Sequence, residues 1–480
     1  MIFSQRTMNV STRNRNTQAR FQRNLPSPTN RWSPEVQQRE LILFLFGLSF
    51  SLGLIAAAIY QLSTLHGLGI EPLRAARCFL ATVALFSGSR WLVLFCFSFL
   101  GRRHHCRTRP QPFTAWPKVS VLVPAYNESQ TIQAALESLL ELNYPEYEVL
   151  VIDDGSTDDT LLRARRYEGD HGKCTVKVIH KKNGGKWSAH NAGFKRARGE
   201  LILCIDADSR LDPQSLKHLV SRMADPRVDG VAGQMRVRNR VNLITRLQGL
   251  EYLIANGCVR LSQSFWGCVL IVPGPIGLFR RTAMENVFGK YTSGKKTLGE
   301  DAGPFEGDTF AEDFDLSMSV LCLGGSIIYE PDALSFTKSP DSHFSLLNQR
   351  YRWIRGSLQV LRKLLVRTCK EPRLLRAKIL FWILATYVPD LLLLPLIYMV
   401  SLGMFFLLLA SGVNVIPLLG WYAALLSLQL LAALFFVSIH GDDPKLLAVL
   451  PFYSLYTGFV LTTAWAISVC DEVMRKQMHW

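Results

Sequence analysis

The apolar residues of this chain are concentrated in long runs near its two ends. The run from Leu41 to about Tyr60 carries no charged residue, and the run from Cys78 to Gly101 is interrupted only by Arg90. Three further runs follow the polar middle of the chain, at about 385–410, 416–438 and 446–469. A helix of about 20 apolar residues spans the hydrocarbon core of a bilayer. We therefore predict a multi-pass inner- or plasma-membrane protein, with a two-span hairpin at 41–101 and about three spans within 385–470.

Basic residues lie beside these runs and account for much of the formal net charge of +16. Residues 1–40 contain seven arginines, and residues 101–118 contain no acidic residue. Because positive residues accumulate on the cytoplasmic side of spans, both segments should face the cytoplasm, with an outside loop at about 61–77. The tail at 1–40 is predicted to be disordered. The position of the charge favours a lipid bilayer as partner, and we expect no nucleic acid.

The middle of the chain, at 118–365, has the composition of a soluble domain. Continuous apolar runs such as VSVLVPAY and YEVLVIDDGS are separated by helix-like stretches such as TIQAALESLLEL. That alternation indicates a parallel α/β sheet covered by helices on both faces. A basic amphipathic segment at 366–384 should lie along the membrane surface. The ten scattered cysteines are interpreted as buried free thiols, since none forms a CxxC pair.

Polar residues follow the first two predicted strands. Tyr126 and Glu128 end the first in PAYNE, and Asp153 and Asp154 end the second in DDGS. Ligands of open α/β sheets bind beyond the carboxyl ends of the strands, so both groups should face one crevice. Carboxylates there can accept hydrogen bonds from a base or a ribose. The alternative is structural, with DDGS as a turn and an aspartate as a helix cap.

Two further motifs suit a nucleotide-sugar diphosphate. The sequence NGGK, ending at Lys186, combines bare backbone with an ammonium group. An apolar strand then delivers Asp206 and Asp208 as an Asp-x-Asp pair, which can hold a divalent cation that also binds the diphosphate. The alternative for the pair is two solvated acids at the end of a strand.

A pair of acidic residues, Glu312 and Asp313, opens a predicted helix and supplies a candidate general base for an attacking hydroxyl. The alternative is that acids favour a helix N-terminus through its dipole. A second pair, Glu300 and Asp301, lies in a glycine-rich loop. We favour Glu312 and Asp313 because the start of a helix can hold a base in place.

The sequence QRYRW places Gln349, Arg352 and Trp353 on one face of a helix, since they are three and four residues apart. An amide, a guanidinium and an indole on one face can bind a diphosphate and stack on a sugar. The alternative is an amphipathic helix anchored at the membrane surface by its tryptophan.

In this order, DDGS, DAD, ED and QRYRW resemble the motifs of membrane-bound processive family 2 glycosyltransferases, which include cellulose, chitin, hyaluronan and poly-N-acetylglucosamine synthases. The segments QGLEY, PGPIGLFRR and YEP look most like the poly-N-acetylglucosamine, hyaluronan and chitin-oligomer synthases. Two departures lie near the expected acceptor site. Ala311 stands where many relatives have threonine, and the loop at 288–310 looks longer.

The resemblance implies a GT-A-type (Rossmann-like) fold and an inverting, Mg²⁺- or Mn²⁺-dependent transfer from a UDP-sugar to a growing polysaccharide. By motif, the residues that contact the nucleotide-sugar are Tyr126, Glu128, Asp153, Asp154, Lys186 and Asp206. Asp206 and Asp208 would hold the metal, and Asp313 with Glu312 would supply the base. Gln349, Arg352 and Trp353 would hold the diphosphate and the acceptor end.

Three functions follow from these residues. The first is a polysaccharide synthase that uses UDP-GlcNAc or UDP-glucose and exports its product, with or without a small membrane partner subunit. The second is transfer of a single sugar to a membrane lipid, and the third is a non-catalytic membrane scaffold.

Arg90 and Asp390 are charges within spans, which are costly unless they face protein or water. They are predicted either to line a channel as a pair or to be satisfied locally.

Overall fold

The computed structural model describes residues 34–64, 72–108, 115–292, 301–410, 412, 416–440 and 442–476. Most of the predicted tail, the middle of the predicted outside loop, Glu300 and part of the 288–310 loop lie outside these residues. The prediction of disorder up to residue 40 is wrong for its last residues, because a helix already begins at Pro34. Glu40 explains the extension, since its carboxylate is buried 3.1 Å from Arg102 on the next helix.

Helices and strands alternate through the middle of the chain, between long helices at either end. The strands are β1 Val119–Ala125, β2 Tyr147–Asp153, β3 Gly169–Asp170, β4 Cys174–His180, β5 Leu201–Cys204, β6 Arg210–Leu211, β7 Gly230–Val237, β8 Gly277–Arg280 and β9 Ile327–Thr337. The first helices are α1 Pro34–Thr64, α2 Pro72–Arg107, α3 Ile132–Leu140, α4 Thr160–Arg165, α5 Lys186–Arg196, α6 Ser215–Arg222, α7 Leu243–Ile254, α8 Leu261–Ser264 and α9 Arg281–Val287. The remaining helices are α10 Glu312–Cys322, α11 His343–Lys370, α12 Ala377–Trp382, α13 Leu394–Ala410, α14 Ile416–His440, α15 Tyr453–Leu455 and α16 Thr462–Val473.

Short π-helical and 3-10 segments interrupt the helices on both sides of the sheet. The π-helical segments are Ala255–Arg260, Phe288–Thr292, Ile383–Tyr387, Pro389–Leu393 and Tyr456–Leu461. The 3-10 segments are Pro372–Leu374 and Pro444–Phe452. Inside otherwise continuous helices, such turns locally bend the axis.

The strands form one mixed sheet in the order β3-β4-β2-β1-β5-β8-β7-β9-β6. Strands β4, β2, β1 and β5 are parallel, as predicted for this half of the chain. The prediction of a wholly parallel sheet is wrong beyond β5, because β8 runs antiparallel to both β5 and β7. Strand β9 then pairs in parallel with β7 through a bulge at Gly233 and Gln234.

The central strands β1, β2, β5 and β7 are buried on both faces, which explains their mostly apolar sequences. Alternate residues of β1 enter different cores: Val121 and Val123 pack with α3 and α6, whereas Leu122 faces the other way. The core around Leu122 continues without a break to Phe95 on α2 and Phe435 on α14. The sheet domain therefore shares one apolar core with the bases of the long end helices.

Five helical stretches within the described residues are long and apolar enough to cross a membrane. They are Gln37–Thr64, Arg74–Arg107, Ala377–Leu408, Leu419–His440 and Pro444–Val473. The first two form a hairpin, and α14 packs against both of them. Phe95 of α2 meets Phe435 and Phe436 of α14 with ring centroids 5.5 and 6.4 Å apart.

Arg90 and Asp390 form a pair between α2 and the first C-terminal span. The Arg90 Nη2 lies 2.7 Å from Asp390 Oδ1, and its Nε donates to the carbonyl of Ala385 at 3.4 Å. Arg90 is therefore satisfied by a carboxylate and a backbone carbonyl, and the channel stays a prediction.

All ten cysteines are free thiols in the structure. The prediction that they are buried is wrong for Cys369 and Cys470, which lie on outward faces of α11 and α16.

Candidate active site

The parallel strands bring the DDGS motif to the edge of the sheet between Tyr126 and His180. Ala125, Asp153 and His180 are in register across β1, β2 and β4. Asp153 is completely buried, and its Oδ2 lies 2.7 Å from Nδ1 of the half-exposed His180. The structure therefore places Asp153 beneath the crevice surface, with His180 above it.

Asp154 holds the glycine loop that precedes α5. Its Oδ1 accepts hydrogen bonds from Lys181 Nζ at 2.9 Å and from the Gly184 amide at 3.0 Å. Its Oδ2 accepts from the Gly185 amide at 2.8 Å. Gly185 has a φ of +90°, which an L side chain rarely adopts, so glycine is required at this turn. Asp154 thus fixes the approach of the loop to α5.

The PAYNE turn is held open at the end of β1. Asn127 adopts a left-handed φ of 55°, and its Oδ1 accepts a hydrogen bond from the amide of Thr157 at 2.9 Å. Tyr126 is 49% exposed, so its ring faces the crevice. Glu128 is partly buried and bonded to Thr131. Burial and the charge of Asp206 raise the pKa of Glu128.

Lys186, at the start of α5, joins the Asp-x-Asp motif to the Glu-Asp motif. Its Nζ lies 2.7 Å from Asp206 Oδ1 and 3.0 Å from Glu312 Oε1. Burial lowers the pKa of Lys186, but Asp206, Glu312 and Asp313 outweigh burial and hold that pKa well above its usual range. The structure therefore brings residues from three predicted motifs into direct contact.

Asp208 lies beside Asp206 but makes different contacts. Its Oδ1 accepts from Ser209 Oγ at 3.0 Å and from Thr337 Oγ1 at 3.4 Å. Burial, followed by the charges of Asp206 and Glu128, raises the pKa of Asp208 to about 6. A bound cation would offset the negative charge that Asp206 and Glu128 place beside Asp208.

Within the described part of the chain, two other groups contain three potential metal ligands, and both already surround a cationic side chain. In the first, His105, Glu330 and Asp332, the carboxylate of Glu330 pairs with Arg222 at 2.5 Å. The second consists of Glu306, Asp308 and Asp315 around Lys363.

Asp313 is fixed at the start of α10 by two backbone amides. Its Oδ1 accepts from Phe314 at 2.7 Å and its Oδ2 accepts from Gly274 at 3.1 Å. A Cβ at Gly274 would lie 2.9 Å from Lys186 Nζ and 3.2 Å from Asp206 Oδ1. Burial and the neighbouring Glu312 raise the pKa of Asp313 to about 6. Gly274, in the PGPIG segment, therefore connects the candidate base with the lysine and aspartate cluster.

Asp301, the aspartate of the second Glu-Asp pair, lies near the glycine loop that precedes α5 and not beside Asp313. It accepts a hydrogen bond from Ser188 and lies 3.7 Å from Lys181. Residues 301–311 then run over α5, where Asn191 Nδ2 donates to the carbonyls of Asp301 and Phe305, each at 2.8 Å. This segment forms a wall of the crevice that leads directly into Glu312.

The QRYRW residues lie on α11 as predicted for one helical face. Arg352 and Trp353 are exposed, and the Trp353 ring lies 6.2 Å from that of Tyr252. Gln349 Oε1 is buried and has no hydrogen-bond partner among the described residues. The side chains of Arg352 and Trp353 are thus accessible to a ligand, whereas the Gln349 oxygen is not.

Arg350, the second residue of the QRYRW motif, has a structural role that the sequence reading missed. It is buried, and its Nη2 bonds to Glu251 Oε2 at 2.7 Å. Glu251 also accepts from Tyr456 Oη at 2.8 Å. The glutamate of QGLEY was the available signal, since a buried arginine in an apolar setting requires an acidic partner.

Helix α11 meets the candidate base through Gly356, one helical turn beyond Arg352 and Trp353. A Cβ at Gly356 would lie 2.8 Å from the Cβ of Ala311 and 2.9 Å from its amide nitrogen. The amide of Phe310 also donates to Gln359 Oε1 at 3.1 Å. The face that carries the predicted acceptor residues therefore packs directly against the turn that precedes Asp313.

Residues 120–288 match the sequence profile of the Glycosyl transferase family 2. That stretch contains the PAYNE, DDGS, NGGK and DAD motifs together with Gly274. It ends before Glu312 and α11, so the profile match does not cover the candidate base or the QRYRW helix.

The chain also resembles curated synthases. It is 32% identical over 257 residues to a poly-beta-1,6-N-acetyl-D-glucosamine synthase of Staphylococcus epidermidis. The aligned region covers 53% of this chain and 58% of that protein. A protein of the same name from Staphylococcus aureus (strain COL) is 30% identical over 256 residues, with the same coverage. The match thus spans a little over half the length of these curated relatives. The predicted resemblance to this group is confirmed.

A mannosyltransferase, PcManGT from Pyrobaculum calidifontis, solved in complex with GDP-Man and Mn²⁺, has a similar structure. It matches 83% of this chain and 100% of its own length, with a TM-score of 0.57 and 21% identity. The shared architecture confirms the predicted GT-A-type fold.

Proposed function

Because residues 120–288 match the Glycosyl transferase family 2 model, we propose that the chain is a membrane enzyme that polymerises a β-linked polysaccharide from a UDP-sugar. The observation that carries the proposal is the contact of three motifs at one strand edge. Lys186 joins Asp206 to Glu312, while Gly274 reaches from that cluster to Asp313. This edge therefore offers the ammonium of Lys186 to a diphosphate leaving group and the carboxylate of Asp313 as a base for the acceptor hydroxyl.

The transfer step assigns Asp313 as the general base. The acceptor hydroxyl oxygen forms a bond to the anomeric carbon as the bond from that carbon to the diphosphate oxygen breaks. Asp313 takes the hydroxyl proton, and UDP departs with the electron pair. Direct displacement from one side inverts the anomeric configuration. Lys186 offsets the negative charge that develops on the diphosphate.

The residues present fit a divalent cation such as Mg²⁺ or Mn²⁺. Asp206 and Asp208 offer only oxygen ligands, which these ions prefer, and Mg²⁺ is commonly held by one or two carboxylates together with substrate phosphates. The raised pKa of Asp208 fits a site of crowded negative charge. When bound, the ion would supply charge stabilisation to the departing diphosphate.

The proposed donor is UDP-GlcNAc, with UDP-glucose as the alternative. The support is the name of the relatives at 30–32% identity, which are poly-beta-1,6-N-acetyl-D-glucosamine synthases. Tyr126 and His180, both half-exposed at the edge of the sheet, would flank the base of the nucleotide.

We further propose that the catalytic domain is cytoplasmic and that the polymer leaves through the membrane. The basic flanks of the spans and the shared core between the sheet and the end helices support this arrangement. Gln349, Arg352 and Trp353 would hold the diphosphate and the acceptor end, on the helix that leads to the C-terminal spans.

A donor panel with purified protein tests the proposal. Radiolabelled UDP-GlcNAc and UDP-glucose would be supplied with Mg²⁺, Mn²⁺ or EDTA. We expect a high-molecular-weight product from UDP-GlcNAc that is lost with EDTA and with Asp313→Asn. A lipid-extractable product of single transfer would support the second function, and an unchanged amount of cellular polymer with Asp313→Asn would support a scaffold.

A further inference from the structure

Lys363, about two turns beyond Gly356 on α11, is surrounded by carboxylates. Its Nζ lies 2.6 Å from Asp308 Oδ1 and 2.7 Å from Asp315 Oδ2, and it also pairs with Glu306. The Lys363 side chain is only 14% exposed, and those of Glu306 and Asp315 are 5% exposed. The ammonium group thus occupies the centre of three acids that are close enough together to hold a cation.

Arg367, one turn further along α11, repeats the contact. Its guanidinium lies 3.3 Å from Glu306 Oε1 and 3.6 Å from Asp315 Oδ1, and it donates to Ser319 Oγ at 3.0 Å. The two cations share the two most buried acids of the cluster. Removing one cation would leave a buried charge without full compensation, which is much more costly than the pair itself is stabilising.

The acids of this cluster lie on both sides of Asp313 in the chain. Glu306 and Asp308 belong to the crevice wall that precedes it, and Asp315 follows it in the first turn of α10. Lys363 therefore reaches the chain before and after the candidate base, and no bond between Lys363 and Asp313 occurs within the described residues. Its effect on the base must pass through the backbone of 306–315.

The donor side of the crevice is held by a different set of contacts. Asp154 binds the glycine loop, and Lys186 binds Asp206. Neither set includes a residue of α11. Displacement of 306–315 from α11 would move the base relative to the acceptor and draw Glu312 away from Lys186. The pair of Lys186 with Asp206 and the contacts of Asp154 with the glycine loop would remain.

We propose that Lys363, together with Arg367, is a positioning residue that sets the Asp313 carboxylate against the acceptor hydroxyl by holding residues 306–315 on α11. The inference rests on the proposed function. It assigns to the ion-pair cluster a role in turnover that none of the sequence motifs contains.

The test compares Lys363→Met with the conservative Lys363→Arg and with Lys370→Met as the matched control. Lys370 is exposed at the end of the same helix. Hydrogen exchange of peptides covering 303–315 is measured first, without substrate. We expect exchange to rise at least tenfold in Lys363→Met and to stay at the wild-type rate in Lys363→Arg and Lys370→Met. Retained UDP binding would show that Lys363→Met is folded.

The second arm measures kcat and KM with UDP-GlcNAc. We expect Lys363→Met to lower kcat at least tenfold with a donor KM within threefold of wild type, and Lys363→Arg to keep at least half of kcat. Unchanged exchange, unchanged kcat, or equal losses in the Met and Arg variants would each overturn the proposal. If wild-type protein makes no product from any donor, the proposed function fails, whereas the exchange arm still decides whether Lys363 holds 306–315.

Discussion

Lys186 is the residue on which the charges of the crevice converge. It links Asp206, at the end of a parallel strand, to Glu312, at the start of a helix more than 100 residues later. The ammonium of Lys186 therefore contacts both the proposed donor-binding aspartate and the glutamate beside the proposed base. It thus offsets the repulsion between the two carboxylates that it joins.

Replacing Asp313 with asparagine should reduce transfer at least a thousandfold, because an amide cannot take the acceptor proton. UDP binding should be retained, since no donor contact is removed, and calorimetry of UDP binding checks this point. The matched control is Asp301→Asn, at the second Glu-Asp pair, which should lower turnover far less.

The raised pKa of Asp313 also predicts a pH profile. A base works only when ionised, so kcat should fall as the pH drops through about 6, the pKa to which burial and Glu312 raise Asp313. The profile should be flat above that value until other groups titrate. A half-maximal kcat near the ordinary aspartate pKa, about 4, would contradict this assignment.

Gly274→Ala should lower transfer at least tenfold without unfolding the protein. The added Cβ would lie 2.9 Å from Lys186 Nζ, so the lysine or the loop must move. Gly289→Ala is the control, because a Cβ there meets no atom within 4 Å. Equal activity of the two variants would show that the loop adjusts freely.

Sequence reasoning at the residue scale succeeds where chemistry is concentrated at strand ends. Asp154 and Asp206 could be assigned to one crevice because the carboxyl ends of parallel strands share an edge. Lys186 and Glu312 could be assigned by their motifs. Gly274 and Lys363 could not, since their roles depend on contacts between segments that are distant in sequence and carry no local pattern.

Helix α11 connects the acceptor motif with both the candidate base and the C-terminal spans. Gly356 packs on Ala311, whereas Arg355 bonds to Glu472 of α16 at 3.0 Å. The alanine that stands where many relatives have threonine is thus a packing surface for this helix. A larger or polar side chain at 311 would have to fit beneath Gly356.

Gly356→Ala should destabilise the protein by about 1–3 kcal/mol, the usual cost of overpacking. In an unobstructed helix the same change would be stabilising, by about 1 kcal/mol or less. The sign of the change in unfolding midpoint in detergent therefore tests the close contact with Ala311. An increase in stability would contradict it.

At the scale of elements, the first four parallel strands were predictable and the second half of the sheet was not. Strands β1 and β2 are mostly apolar runs separated by helix α3, which is the pattern of parallel pairing. Strand β8 has only four residues, and its antiparallel pairing with β5 and β7 depends on residues far apart in the chain. Such pairing leaves no periodic signal.

The whole molecule is organised around a junction between sheet and spans. Asp442, just beyond α14, lies 2.7 Å from Arg240 and 3.9 Å from Arg236. Burial raises the pKa of Asp442, but the two arginines outweigh burial and hold that pKa well below its usual range. These ion pairs therefore connect the C-terminal end of α14 to strand β7 and the residues that follow it.

Substitutions of Arg90 and Asp390 test how the ion pair contributes to the stability of the helical end regions and to polymer export. Arg90→Leu or Asp390→Leu alone should lower the unfolding temperature in detergent, since each leaves a charge without its partner. The double variant should recover most of the loss. Full polymer export from vesicles by Arg90→Leu would contradict the hypothesis that this pair lines a channel.

The packing of α14 between the helices of the N-terminal hairpin also constrains the order of biogenesis. Phe95 meets its partners Phe435 and Phe436 only after about 340 further residues have been translated, which takes roughly 17–68 s at the usual speed of synthesis. With the proposed membrane insertion, the hairpin would reside in the bilayer during that interval without its helical neighbour. Insertion factors that shelter unpaired spans would therefore have most to contribute between the second and fourth spans.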